Sequence, residues 1–274
     1  MGKRKLFCEI CPLTYRISQE KEILKRHLSD LLHRVQFAQI PLEGSLEELI
    51  YQHKSLIRRR LGNVDMELQE NKAVNLSLAV KHLDGIVIRP GETFSLWWLV
   101  GRTSARRGYR EGLTITHGKP AQGIGGGLCQ LSNLIHWMVL HSDLTIVEHH
   151  HHDGLDLFPD FGRQIPFGTG TSISYNYIDY RVKNNTRNIY QLRVHVDGEY
   201  LCGELRAMHP QPNSYHIHIE NEYFQREGEA VYRNGEVYRD MYDKHTGNLL
   251  KTELIRKNHA RVMYDTTGLD IREG

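Results

Sequence analysis

The chain of 274 residues contains no long apolar run. Its strictly apolar stretches, such as Leu96-Trp97-Trp98-Leu99-Val100, fall far short of the roughly 18 residues that a membrane helix needs, which excludes a transmembrane segment. Net charge is also scarce. Thirty-five Lys and Arg against 33 Asp and Glu leave +2, and no basic block marks a nucleic-acid footprint. The four cysteines (Cys8, Cys11, Cys129, Cys202) are too few and too scattered for a disulfide scaffold, so a reducing, cytoplasmic setting is expected. The start Met1-Gly2-Lys3-Arg4-Lys5 is basic like a secretion signal, but Glu9 and Pro12 interrupt the apolar segment behind it. Leu6 stands where myristoylation wants Ser or Thr. Cys8 and Cys11 form one C-x-x-C with no second pair and no βαβ context, and read as ordinary thiols. Neither an internal repeat nor a low-complexity linker is present. What the chain does have, 39% apolar and 25% charged residues, fits a folded globular protein and excludes wholesale disorder.

Helical patterning dominates the start. Residues 15 to 62 read as helical: Leu24, Leu28, Leu31 and Val35 share a stripe, with Lys25, Arg26 and Asp30 off it. A second helix is predicted from Ser45, capped through Glu48 and closed by Gly62. Lys54 and Arg58 to Arg60 would sit late in it, either as a solvated basic face or as a contact for a partner or an anionic surface. From about residue 71 the texture mixes. Leu76, Ala79, Val80 and Leu83 make a helix ended by Gly85, followed by Ile86-Val87-Ile88, a Pro90-Gly91 turn and the strand Thr93 to Trp97. Adjacent Trp97 and Trp98 would face opposite sides of that strand, one in the core and the other free to floor a groove. Beyond residue 170, strands are predicted over Thr171 to Ile178, Ile189 to Val196 and Tyr200 to Met208, with Val231 to Tyr238 folding back through Asn234-Gly235. Helices precede strands without regular alternation, which predicts an α+β fold. Three parts are expected: a helical segment (1–69), a mixed domain (70–209) and a mainly antiparallel β extension (210–274).

The stretch richest in chemistry is Gly123 to Leu140. Gly125, Gly126 and Gly127 permit unusual backbone conformations and close approach of a ligand to the main chain. Helical periodicity follows at once, with Leu131, Leu134, Ile135, Met138 and Val139 on one face, so Cys129 lies in the first turn. Amides and dipole at a helix N-terminus lower a thiol's pKa, and the same amides, with Gln130, could hold an oxyanion. A phosphate loop requires Gly-Lys-Ser/Thr where this chain has Gly-Leu-Cys. The partner base is sought in Thr145 to Asp153, a strand running into His149-His150-His151-His152. Alternation puts His150 and His152 on one face and His149 and His151 on the other. Glu148, Asp153, Asp156 or Asn176 could orient the imidazole. His150, His152, Asp153 and Cys129 are also competent zinc ligands, although closely spaced ligand pairs are not duplicated. Arg102, Arg106, Arg107 and Arg163 are candidates to clamp a peptide carboxylate. Cys202, inside a strand, reads as a small buried hydrophobe.

These residues resemble the VanW family. The likeness runs through Pro90-Gly91-Glu92-Thr93-Phe94-Ser95, Val100-Gly101 with Thr103, and Arg107-Gly108-Tyr109. It continues through Gly125-Gly126-Gly127-Leu128-Cys129-Gln130-Leu131-Ser132, Val147-Glu148 to His152, and Lys183-Asn184-Asn185-Thr186, covering roughly residues 70 to 205. Where the family pattern reads Glu-Arg-x-x-His-Ser, this chain has Glu148-His149-His150-His151-His152-Asp153, so His152 matches the family histidine. The resemblance implies a role tied to the cell wall and to glycopeptide resistance, with peptide cross-linking of the L,D-transpeptidase kind through the cysteine. Cys129 would attack a stem-peptide carbonyl and His152 would act as base and then acid, with His150 as the alternative. Gly125, Gly126, Gly127, Gln130, Ser132, Arg107 and Arg163 would hold the peptide or peptidoglycan fragment. No cofactor, metal or nucleic acid is expected. The rival readings are a non-catalytic accessory protein binding a peptide or anion, and a zinc-dependent hydrolase or metal-binding protein using His149 to His152.

Overall fold

The computed structural model describes residues 6–58, 66–116, 119–151, 154–157, 159 and 165–274. The helix α1 (Pro12–Leu32) forms as expected, with Pro12 at its first position, where the missing N–H costs nothing. The second predicted helix does not form. Residues 48–56 are instead the strand β1 (Glu48–Leu56), in which Tyr51, His53 and Ser55 turn inward while Gln52 and Lys54 turn out. Pairing with a strand contributed from far along the chain overrides the helical leaning of Leu46-Glu47-Glu48-Leu49. Arg58 is therefore not at a helix end; it forks Glu70 with bonds of 2.6 and 2.8 Å. Arg59, Arg60 and Gly62 lie outside the described residues.

The mixed region proceeds through α2 (Met66–Val80), β2 (Val87–Ile88), β3 (Thr93–Ser95) and the short α3 (Leu96–Val100). Trp97 and Trp98 sit on α3 rather than on a strand, because the Ser95 hydroxyl accepts the Trp98 N–H and caps a helical turn there. Trp97 is buried, while Trp98 remains half exposed and stacks on Phe37. The hairpin β4 (Glu111–Thr116) and β5 (Lys119–Ile124) then leads through the glycines into α4 (Cys129–Leu140). Next come β6 (Thr145–Glu148), β7 (Leu155–Asp156), β8 (Arg181–Lys183), β9 (Tyr190–Asp197) and β10 (Tyr200–Ala207). The stretch predicted as a strand over 171–178 is irregular, holding only a bridge between Ser174 and Ile178. Thr171 N–H is committed to Asn133 of α4, and Ser172 N–H to His150 O, rather than to a sheet.

One four-stranded antiparallel sheet has the order β1-β10-β9-β2, and a three-stranded one the order β3-β8-β6. The helix α4 lies among them, buried along nearly its whole length from Leu131 to Leu140. Leu131, Leu134, Ile135, Met138 and Val139 join Leu76 and Ala79 of α2 and Val194, Leu201 and Leu205 of the larger sheet in the main core. Each such fully buried aliphatic side chain is worth about 1.5–3 kcal/mol. The other flank of α4, through Trp137 and Leu140, meets Ile217 and Val237 of the C-terminal sheet.

That sheet comprises β11 (Asn213–Glu227), β12 (Ala230–Asp243), β13 (Leu249–Val262) and β14 (Ile271–Glu273), ordered β14-β11-β12-β13-β7 and mainly antiparallel. Asn234-Gly235 is not a turn. Both residues lie in the middle of β12, where Asn234 accepts from His259 Nδ1 (2.8 Å) and the irregularity in β11 between Glu220 and Tyr223 lies opposite. The chain reverses one turn earlier, at Gly228-Glu229, where Gly228 has φ +61°. The fold is α+β.

Candidate functional site

Cys129 is the first residue of α4, as its place behind three glycines predicts. The glycines are used for close packing within the chain. Gly126 lies against the main chain of Gly112, and a Cβ there would stand 2.2 Å from the Gly112 carbonyl carbon. Gly127, at φ +91°, abuts the Lys72 side chain. Buried Asn75 ties the loop down, donating to Gly126 O (2.9 Å) and Arg110 O (3.0 Å) and accepting from Arg110 N–H (2.8 Å).

The expected lowering of the Cys129 pKa is overturned. Burial pushes the thiol up, and hydrogen bonding from the Ile173 and Cys129 main chains opposes that only in part. Desolvation of the anion outweighs the helix N-terminus, because the residue is enclosed although part of its surface remains open. That direction favours the neutral thiol over the thiolate.

The polar side chains near it are already engaged. Gln130 donates to Ser55 Oγ (2.8 Å) and Leu56 O (2.9 Å), stitching α4 to the end of β1. Fully buried Ser132 donates to Cys129 O (3.0 Å) and meets the Thr171 hydroxyl. Replacing Gln130 with alanine removes two good bonds to β1 and is expected to cost about 1–2 kcal/mol in urea unfolding. A loss below a few tenths would show that water replaces the amide without penalty.

Cys129, Asn133 and His136 follow one another at helical spacing along α4. The irregular stretch 169–173 lies against this side: Thr171 donates to Asn133 Oδ1 from its N–H (2.6 Å) and its hydroxyl (2.8 Å). His149 donates from Nε2 to Gly170 O (3.2 Å) and stacks on His136 at 4.0 Å between ring centres. His151 meets His149 edge to face at 4.2 Å, so His149 and His151 share a side as alternation predicts. His136 is completely buried, with Nδ1 bonded to the Tyr180 hydroxyl (3.2 Å). Burial holds its pKa well below the usual range, and burial likewise takes His149 down to about 4. Seven residues, about 10 Å along the helix axis, separate His136 from Cys129.

His150 turns away to Glu148, donating from Nε2 to Oε1 at 3.0 Å. No histidine is hydrogen-bonded to Cys129 among the described residues. His152, Asp153 and Arg163 lie outside them. Arg107 donates to Arg102 O (2.8 Å) and contacts His82, while Arg102 forks Glu20, so neither is brought to the thiol by a described contact. Asp156 is bonded by Tyr264 (2.8 Å), and Asn176 donates to His27 (3.0 Å). Cys202 is buried as expected. No group of three or more His, Cys, Asp and Glu among the described residues is placed to hold a metal ion.

Comparison with known proteins fits the stretch that carries this geometry. A family model described as VanW-like protein matches residues 71–206. The vancomycin B-type resistance protein VanW of Enterococcus faecalis is 34% identical over 238 residues, which span 86% of both chains. The chain belongs to the VanW family. The uncharacterized protein YoaR of Bacillus subtilis is 30% identical over 118 residues, covering 42% of this chain and 36% of that protein. No solved structure matches.

The VanW match spans α2 to β10, hence the glycine loop, α4 and the histidine run together. Within it lies an ion-pair centre that sequence reasoning missed. Fully buried Asp179 accepts from Ser95 Oγ, Trp97 N–H (3.1 Å) and Arg181 Nε (2.8 Å). Arg181 also forks Asp30 of α1 (2.6 and 2.9 Å), and Glu148 is forked by Arg26. Salt bridging to Arg26 and hydrogen bonds from Asp179 N–H and His150 bring Glu148 below the usual carboxylate range despite its burial. Glu148 therefore anchors α1 as well as touching His150. Asn133 and His136 were also overlooked, although their spacing from Cys129 along one helix was the available signal.

Proposed function

We propose that this VanW-family chain takes part in resistance to vancomycin-type antibiotics, as a cysteine-dependent acyl transferase on peptides of the peptidoglycan kind. The observation that carries the proposal is the match, across 86% of both chains, to a vancomycin B-type resistance protein, with Cys129 held at the head of α4. The neutral thiol specifies the form of the chemistry. With its pKa raised by burial, the thiol would give up its proton to a base as sulfur attacks. In that step Cys129 Sγ bonds to the peptide carbonyl carbon, the scissile amide bond breaks, and the departing amine takes the proton from the base. An acceptor amine then attacks the thioester, and the thiol recovers its proton. His152, the family-matching histidine, is assigned the base.

The test is incubation of the full chain with a tetrapeptide stem and an amine acceptor, followed by mass spectrometry. A thioester adduct on Cys129 and a transfer product, both absent from Cys129→Ala, are the expected result. Equal turnover by the two proteins removes the nucleophile.

The raised thiol favours a second reading, a non-catalytic module that binds such a peptide. It predicts no adduct on the wild type and unchanged affinity for the stem in Cys129→Ser. Both readings expect slow alkylation of the resting thiol. In a brief iodoacetamide pulse at neutral pH, Cys129 should label well after Cys11, which is exposed and whose pKa is lowered by hydrogen bonds from Thr14. Labelling of Cys129 first would show a thiolate already formed.

A further inference from the structure

The helix α1 is turned inside out. Four of its polar residues reach back to the protein: Arg26 forks Glu148, Asp30 holds Arg181, Glu20 holds Arg102, and His27 accepts from Asn176. Ile23 is its one buried apolar side chain. Leu13, Ile17, Leu24, Leu28 and Leu31 face outward, each between 50% and 74% exposed. At 3.6 residues per turn these five positions fall within a sector about 60° wide, along a helix about 30 Å long. Leu6, Phe7 and Ile10, also exposed, extend the apolar surface before its first turn. Five large aliphatic side chains aligned in water, with three more apolar residues beside them, mark a surface built to be covered.

Charge identifies the cover. Residues 1–34 hold eight Lys and Arg against four Asp and Glu, although the whole chain carries only +2. Glu20 is paired with Arg102, Asp30 with Arg181 and Glu22 with its neighbours Lys25 and Lys21, while Arg26 is taken up by Glu148, so the outer surface keeps a net positive charge across Arg16, Lys21, Glu22 and Lys25. Helical geometry puts Lys21 and Lys25 along one border of the apolar stripe and Arg16 along the other, all exposed. An apolar strip with cationic borders fits the interface of an anionic bilayer. It fits a coiled coil with a second copy poorly. Ile10, Ile17, Leu24 and Leu31 recur every seven residues, but the row three residues on reads Leu13, Glu20, His27, Arg34 and the row four residues on reads Thr14, Lys21, Leu28, Val35. Neither supplies the second apolar seam such a pairing requires. No helix among the described residues is long and apolar enough to cross a membrane.

We propose that α1 is a membrane-surface anchor, lying in the interface of an anionic bilayer with its leucine face down and the rest of the chain held above through Arg26, Asp30 and Glu20. The full chain should co-sediment with phosphatidylcholine vesicles containing phosphatidylglycerol. It should do so much less with phosphatidylcholine alone, and the bound fraction should fall as salt is raised. The double substitution Leu24→Glu with Leu28→Glu should weaken partitioning at least about tenfold while leaving the thermal midpoint unchanged, since both side chains are exposed. Lys21→Glu with Lys25→Glu should weaken binding to the anionic vesicles alone. Failure of the wild type to bind either vesicle overturns the proposal, as does undiminished binding by the double leucine variant. Concentration-dependent dimers abolished by the leucine substitutions, without vesicle binding, overturn it in favour of a second copy.

Discussion

Replacing Arg181 with methionine is expected to lower the unfolding free energy by about 3–5 kcal/mol, a large part of what holds an ordinary domain folded. The guanidinium is almost wholly buried and serves three carboxylates: Asp179 through Nε, Asp30 through a two-bond fork, and Glu148 at 3.6 Å. Asp179 has no exposure at all, and burial raises its pKa even with the arginine in contact. With the cation gone, that carboxylate must take up a proton or remain charged and uncompensated in the interior; both options are costly. Methionine keeps the apolar stem of arginine but lacks the guanidinium carbon and its two terminal nitrogens, so the loss combines the missing charge with a small buried gap. The pairing of Arg181→Met with Asp179→Asn should recover part of the loss, because it removes both buried charges and leaves an amide that Ser95 and Trp97 can still satisfy. Urea unfolding followed by circular dichroism gives the comparison. A single-variant loss under about 1 kcal/mol would mean that water screens the centre as it screens surface pairs. Limited trypsin digestion adds a local readout: Arg181 holds Asp30, so α1 should become cleavable in the single variant before the core unfolds.

The ion-pair centre also shows where sequence reasoning reaches and where it stops. The helix α4 was legible because its signals are local: three glycines, then an apolar run at helical period, all within Gly125 to Leu140. β9 and β10 were legible for the same reason, with Asp197-Gly198 between two β-branched segments. β1 was not, because Glu48 to Leu56 carries helix-favouring residues and becomes a strand only when β10 arrives beside it. Asn234-Gly235 misled in the opposite sense: a strong turn dipeptide was absorbed into a long strand that its neighbours already paired on both sides. Arg26, Asp30 and Arg181 look like surface charges until folding brings α1 against β8. The leucine stripe of α1 was legible as a stripe, but periodicity does not say whether an apolar face turns inward, and here it turns out. Cys129 combines both outcomes. Its position at the helix start follows from local pattern, whereas its raised pKa depends on the Ile173 segment and on burial supplied by distant residues.

Acidification from pH 7 towards pH 4 is expected to unfold the protein, with the stability lost mainly between about pH 6.5 and 4. Burial is the principal cause for three histidines: His136 is held well below the usual range, and His141 and His149 are each brought down to about 4. Neighbouring charge adds to it, from His149 and His151 at His136, from Arg239 at His141 and from Arg256 at His149. Hydrogen bonds from His141 to Trp137 O and from His149 to Gly170 O pull the other way without prevailing. Unfolded, all three take a proton near pH 6.5; folded, they refuse it. The unfolded chain therefore binds more protons below pH 6.5, and stability falls with falling pH at about 1.4 kcal/mol per unit for each histidine. His141 and His149 each contribute a loss of about 3 kcal/mol, complete near pH 4. Glu148 acts in the same direction at lower pH, since its depressed pKa gives stability that disappears as it is protonated. Asp179 acts oppositely, because a raised carboxyl pKa lets the folded state take up its proton first. Urea midpoints measured across this range should fall steeply through pH 6 and 5, and His149→Gln should flatten the slope by about 1.4 kcal/mol per unit. A wild-type midpoint level between pH 7 and pH 5 would show that these rings are hydrated and titrate normally, and the enclosed histidine side of α4 would have to be abandoned.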